Sequence, residues 1–418
     1  MTTVTSVLPT TQKTRRLVGL DGLRGLLSLC VVVVHVTGFL SPLVLERVRL
    51  DLLGQAIVVF FAMSGFLIFQ PFLSRILQGK PGPALGEYAR LRVFRIFPAY
   101  VVIFLVANFA LHAVFLRNAV IASTPRTTRG TGVITNPLEL LVQLTAQQNY
   151  SPNLLQTGIN SSWTLTVEIA FYALLPFLSL FAARVRARHP GHRYLAALLP
   201  AGILLVVGVG FRITAAVIAA ANPELSVNES EWGPTTLAVL SRSILVWSDT
   251  FAFGMIAAVV VAAVRAGDLD RFGRISVRAM ALVVFVAGLV GSAISLVTVS
   301  RMIGTFIGLA SLGLIVLIVL PTARGGVWRV SVVLDWLPFR YLGMVSLSIY
   351  LWHYPVLIVF TRMHLYGPDT IAGAAWNFLV VTVVSVALAS VTYWLIERPA
   401  LRWRPRAVAA RNGAGVTP

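Results

Sequence analysis

Apolar and polar positions along this chain fall into long blocks rather than into the short alternation of a soluble helix or strand. A hydrocarbon core about 30 Å thick takes roughly 20 residues of helix to cross. Ten apolar runs meet that length, predicting spans at 18–40, 53–71, 96–116, 161–183, 194–220, 236–264, 279–299, 302–320, 340–361 and 371–395. The stretch 138–148 (LELLVQLTAQQ) is too short to span and predicts an interfacial or re-entrant helix. No repeat at a fixed period interrupts the series. The expected fold is all-α: a polytopic integral membrane protein of about ten transmembrane helices. A transmembrane domain at 18–397 would follow an N-terminal segment, 1–17, and precede a tail, 398–418.

Composition removes the soluble alternative. Across 418 residues, 57% are apolar and 12% charged, against roughly 45–50% and about 25% in soluble domains. So few charges cannot coat a soluble surface, and the same numbers exclude disordered and coiled-coil chains. The net charge of +19 would suggest nucleic-acid binding in a soluble protein. Here the cations are almost all arginine, with lysine only at Lys13 and Lys80, and they cluster between apolar runs. Of the 34 basic residues, 25 fall on the face of the N-terminus, 7 on the other, and Arg212 and Arg242 inside spans. Cytoplasmic loops carry such an excess. Both termini are therefore expected in the cytoplasm and the chain in the cell membrane as a multi-pass protein. The N-terminus has the basic-then-apolar order of a signal peptide, but Asp21 and Arg24 interrupt it and no small-residue cleavage site follows His35, so an uncleaved anchor is expected. Cys30 is the single cysteine, which rules out an intrachain disulfide.

Charges within spans are costly and mark functional candidates. In the first span Asp21, Arg24, Ser28 and His35 stand at offsets 0, 3, 7 and 14, one narrow helical stripe. Arg24 and His35 are roughly 16 Å apart along the axis. A histidine in an apolar wall suits a general base near neutral pH, and an arginine suits a phosphate-bearing ligand. The structural alternative is an Asp21–Arg24 interfacial pair with His35 bonded to a neighbouring helix. Arg92 and Arg95, with Arg90 before them, share a face at the start of the third span. They suit a polyanion clamp, or a plain anchor of snorkelling arginines. Glu168 sits inside the fourth span after Trp163 and Thr164 and one turn before Tyr172, with Arg24, His35, Arg212 and Arg242 as possible partners. Asp249 follows Arg242 by seven residues, a spacing that predicts an ion pair between them. Ser346, Tyr350 and His353 share one face of the ninth span, although His353 also fits a headgroup contact. No sequence-local set of metal ligands is present.

With these residues in place, the chain resembles the bacterial acyltransferase-3 family of multi-spanning membrane acyltransferases. The resemblance rests on LDGLRGLLSLCVVVVHV, VFFAMSGFLI, RLRVFRIFPAY, SWTLTVEIAFYALLPF, SDTFAFGMIAA, LGMVSLSIYLWHYPVL and YWLIERP, in order from about residue 18 to 404. The family's basic residue, ten others, then histidine is met by Arg24 and His35, and its Arg-x-x-Arg by Arg92 and Arg95. Where the family often has two adjacent acids, Glu168 is followed by Ile169.

The resemblance implies O-acyl transfer, often of acetyl, from acyl-coenzyme A to a hydroxyl of a sugar, a cell-surface glycan or a small molecule such as a macrolide. Acyl-coenzyme A would be a donor substrate, with no permanently bound cofactor or metal. On this reading His35 is the expected general base, with a transient acyl-histidine as the variant, and Glu168 is expected to orient its imidazole or the acceptor. Arg24, Arg92, Arg95, Trp163, Asp249, Tyr350 and His353 are expected to bind donor or acceptor. The alternative from another class is a proton-coupled transporter with His35, Glu168 and Asp249 as a relay; the paired interrupted helices of many transporters are missing.

Overall fold

The computed structural model describes residues 17–402 except 123, 270–273, 299, 324–325 and 327, with side chains at all of these but 274–276 and 322–323. The N-terminal arginine cluster at 15–16 and the tail from 403 onward lie outside the described residues.

Among the described residues nine helices are long and apolar enough to cross a membrane. In order they are Leu20–Leu40, Leu50–Gln78, Leu85–Ala110, Asn160–Arg188, Arg193–Ala220, Thr236–Arg265, Val277–Val297, Ile303–Pro321 and Ile371–Arg402. A tenth, ninth in chain order, is broken: Leu337–Met344 and Ser346–Arg362 meet at 73°. The only paired strands among the described residues are Val114–Phe115 and Thr131–Gly132, joined antiparallel outside the spans. The protein is an all-α, multi-pass membrane protein. Large side chains such as Val206, Phe177 and Leu395 point outward at 71–74% exposure, which lipid rather than water accommodates.

Two departures from the sequence expectation matter for the site. The third span starts at Leu85, not 96, so Arg90, Arg92 and Arg95 lie within the helix rather than at its mouth. Hydropathy counts the guanidiniums against the helix, yet their long stems pack as apolar matter. The span also ends at Ala110, not 116, in a wide turn at Val106–Ala110. There the buried Asn108 side chain donates to the Ile134 carbonyl (3.0 Å) and accepts from its amide (2.8 Å). The ninth span, expected to be continuous, bends at Val345; the Ser346 hydroxyl donates to the Gly343 carbonyl (2.9 Å) across the break.

Helix contact in a bilayer rests on close backbone approach, for which small residues make room. The second and sixth spans touch in this way: a Cβ on Gly65 would lie 2.2 Å from the Phe251 carbonyl oxygen, and one on Gly254 1.8 Å from that of Ala62. Gly343, beside the break, similarly packs against the Asp21 carbonyl of the first span. The segment 111–159 is stitched to the bundle by arginine side chains donating to backbone carbonyls. Arg126 donates to the Leu40 carbonyl (2.9 Å), and Arg362 to those of Leu111 and His112 (2.9 and 2.8 Å). The short helix Pro137–Leu144, N-capped by Asn136, replaces the longer one expected over 138–148.

Candidate active site

Two cavities enter the bundle from the two ends of the first span, and Ile57 and Tyr350 line both. One holds Arg24 and the other His35, so the polar stripe of that helix divides between them. Ser28, midway, turns inward and donates to its own helix at Gly25 (2.7 Å).

The smaller cavity, about 140 Å³, is lined by Arg24, Arg92, Arg95, Glu168, Tyr172 and Ser346 among others. Arg24 donates to the Ser346 hydroxyl (3.4 Å). The Arg92 guanidinium lies 5.9 and 5.8 Å from the Tyr88 and Tyr172 ring centres, and its Nε is buried without a partner. Among the described residues none of the three arginines forms an ion pair. The broken ninth span also starts its long helix here, at Ser346, and helix N-termini favour anions. Three guanidiniums against one lining carboxylate make an anion cradle.

Glu168 is not a partner of His35. Its Oε1 accepts from the Ser64 hydroxyl (3.0 Å) and the Tyr172 hydroxyl (2.6 Å), because its helix presents it toward the arginine cavity. His35 pairs instead with His353: Nδ1 and Nε2 are 2.8 Å apart, with the rings stacked at 5.0 Å and an interplanar angle of 8°. Tyr354 packs on both rings. The two histidines are 318 positions apart in the chain, so no local spacing foreshadows the pair. His353 is fully buried, whereas His35 reaches the larger cavity.

That larger cavity, about 530 Å³, combines His35 with a tryptophan and arginine cluster. The Arg242 guanidinium lies 3.3 Å from the Trp232 ring centre, 5.1 Å from Trp163 and 5.6 Å from Trp247. Arg242 also pairs with the Glu231 carboxylate and donates to its carbonyl (2.9 Å). Arg301 shares the same carboxylate and donates to Ser230 (2.6 Å). Trp163 thus belongs to this aromatic cavity, away from the arginine cradle.

The expected Arg242–Asp249 pair does not form. The sixth span breaks at Arg242 and Ser243, between helices Thr236–Ser241 and Ile244–Arg265, so seven residues do not keep both side chains on one face. Asp249 takes Arg212 of the fifth span (3.0 Å) and Thr305 of the eighth (2.5 Å). It is fully buried, and Gly208 lets its backbone come that close: a Cβ there would sit 2.3 Å from the Asp249 amide. Asp249 therefore holds Arg212, which does line the cavity, rather than facing it.

Tyr350 separates the two chambers. Its hydroxyl donates to the Ser161 carbonyl (2.7 Å) and accepts from Thr164 (3.0 Å). Glu231, Trp232, Trp247 and Arg301 were not foreseen as site residues; they come from loops and helix ends with no periodic signature.

A family model described as an acyltransferase domain matches residues 17–394. Over 66 residues the chain is 38% identical to YrhL of Bacillus subtilis (strain 168), provisionally named a peptidoglycan O-acetyltransferase, covering 16% of this chain and 10% of that protein. Over 99 residues it is 35% identical to BcsY of Komagataeibacter xylinus, provisionally named a membrane-bound transacylase, covering 23% of each. The match thus spans under a quarter of either relative's length. No solved structure matches.

Proposed function

Since the chain belongs to the acyltransferase family whose model covers residues 17–394, we propose that it moves an acyl group, acetyl in the simplest case, from acyl-coenzyme A to a hydroxyl of a glycan or other sugar-bearing acceptor. One observation carries this reading: two chemically unlike cavities meet beside a histidine, at a partition of Tyr350 and Ile57. The arginine cavity suits the donor's phosphates, since guanidinium forks match phosphate oxygens. With both termini in the cytoplasm, as the arginine distribution favours, that cavity opens where acyl-coenzyme A is made. The donor's extended arm would then run along the first span and bring the thioester towards His35. The aromatic cavity, opening on the other face, suits an acceptor with a ring to stack. The name of one partial relative, a peptidoglycan O-acetyltransferase, agrees with a carbohydrate hydroxyl as acceptor, and that of the other, a membrane-bound transacylase, with acyl transfer alone.

The chemistry asks for one base. When His35 Nδ1–H donates to His353 Nε2, His35 Nε2 keeps its lone pair on the cavity side. Nε2 takes the acceptor's hydroxyl proton while the oxygen attacks the thioester carbonyl. The C–S bond breaks, and the departing thiolate takes the proton back from the imidazolium. A hydroxyl of high pKa needs such help, and the burial of His353 fixes the ring that supplies it.

Purified protein given acetyl-coenzyme A should release free coenzyme A faster when a hydroxyl acceptor is present, and mass spectrometry of glycans and secreted metabolites should lose an acyl mass shift when the gene is removed. Release indifferent to every acceptor would refute the reading. Reporters fused after Arg188 and after Trp232 should lie on opposite sides of the membrane; both on one side would overturn the orientation.

A further inference from the structure

The aromatic cavity has a charge imbalance that stacking and a catalytic histidine do not explain. Counting its lining residues and their direct ion partners, four guanidiniums (Arg49, Arg212, Arg242, Arg301) meet three carboxylates (Asp51, Glu231, Asp249). Two of the pairs are one to one: Arg49 with Asp51 at the rim, and Arg212 with the buried Asp249. The excess therefore falls on Arg242 and Arg301, which divide the single carboxylate of Glu231. Arg242 also stands within electrostatic range of Arg212. The Arg212 Nε is buried and has no acceptor.

A surplus cation among largely buried groups is costly unless an anion joins it, and a buried donor without an acceptor adds to that cost. Trp232 and Trp247 partly offset it through their ring faces, but a ring is a weaker counter-charge than a carboxylate. What would complete the cluster is one negative group, held within reach of tryptophan faces and on the same side of the partition as His35.

We infer that the acceptor is an anionic hydroxyl compound: a ring-bearing molecule, such as an acidic glycan unit, whose carboxylate or phosphate docks against Arg301 and Arg242 while a neighbouring hydroxyl faces His35. This rests on the reading of the larger cavity as the acceptor chamber. Glu231 then has a second effect: by occupying part of both guanidiniums it limits how tightly the anion binds, which lets the acylated product leave.

The test uses the purified full chain in detergent and two probes that differ only at one carbon, 4-nitrophenyl β-glucuronide and 4-nitrophenyl β-glucoside. Binding is read by quenching of tryptophan fluorescence, so it needs no turnover. The glucuronide should bind about tenfold more tightly, the equivalent of one charge-assisted contact. Arg301→Gln should erase that preference and Glu231→Gln should increase it, opposite signs that a purely structural ion network does not give. In the unaltered protein, salt should weaken the glucuronide far more than the glucoside, a measurement that stands even if a variant fails to fold. The 6-phosphate of the glucoside is a third arm: tighter binding than the glucuronide assigns the site to phosphate, weaker binding to carboxylate. Equal affinity for the first two probes, no binding of either, or both variants shifting them alike overturns the inference. Acceptor-dependent coenzyme A release, measured alongside, separates that failure from failure of the acyl-transfer reading.

Discussion

Both cavities are built around three arginines, yet they treat them oppositely. In the smaller one Arg24, Arg92 and Arg95 have no ion partner among the described residues; Arg92 lies by two tyrosine rings and Arg24 donates to Ser346. In the larger one Arg212, Arg242 and Arg301 are each held by a carboxylate. A guanidinium without an ion partner keeps its charge free to meet a ligand, whereas one already paired is first a piece of architecture. On the proposed reading, the same residue type forms a donor cradle at one end of the first span and, beside His35, an acceptor wall at the other.

The comparison breaks most visibly at the histidine pair. His35→Ala should lower acceptor-dependent coenzyme A release by about 10²–10⁴, the usual loss of a general base, while the arginine cavity still binds coenzyme A. His353→Ala should cost less, on the order of tenfold, because it frees the His35 ring without removing it, and His353→Gln should restore part of the loss. Substantial turnover by His35→Ala would move the base elsewhere.

Next in size is the architectural arginine. Asp249→Ala strands the buried Arg212 charge, and breaking a buried pair costs about 3–5 kcal/mol. Thermal unfolding in detergent should show a large loss of stability. An unchanged transition would mean that the pair is not structural.

The open arginines should behave differently. Arg92→Ala or Arg95→Ala should leave the unfolding transition nearly in place but weaken coenzyme A binding by roughly ten- to a hundredfold each, in keeping with about 1.5–3 kcal/mol for a hydrogen bond to a charged group. Lysine should rescue only partly, since it lacks the fork. Equal destabilisation by Arg92→Ala and Asp249→Ala would erase the distinction between the two cavities.

Smallest is the partition. Tyr350→Phe keeps the ring but removes the hydroxyl that bonds Ser161 and Thr164. Coenzyme A release without acceptor should rise a few-fold as water gains passage; no rise in that uncoupled release would show that the hydroxyl does not seal the junction.

Much of this was legible in the chain itself. Apolar run lengths fix the number of spans, because a membrane imposes one thickness on every helix. The stripe from Arg24 to His35 follows from helical geometry within a single span, and Arg92 with Arg95 likewise. What failed were inferences that carried a local rule across a break or from one helix to another. The Arg242–Asp249 spacing lost its meaning where the sixth helix interrupts, and Glu168 found Ser64 and Tyr172 rather than His35 because rotation of a helix in a bundle is set by its neighbours.

Written in the chain alone are the membrane class, the approximate placing of the spans and, where a helix is unbroken, the side chains that share a face. All of these follow from bilayer thickness and the 3.6-residue turn. It is the packing of the bundle that brings His35 to His353, gives Asp249 to Arg212 and lets one helix line two chambers. Those are contacts between segments up to 318 positions apart, chosen by close glycine packing and by the need of each buried charge for a partner, neither of which a single helix can express.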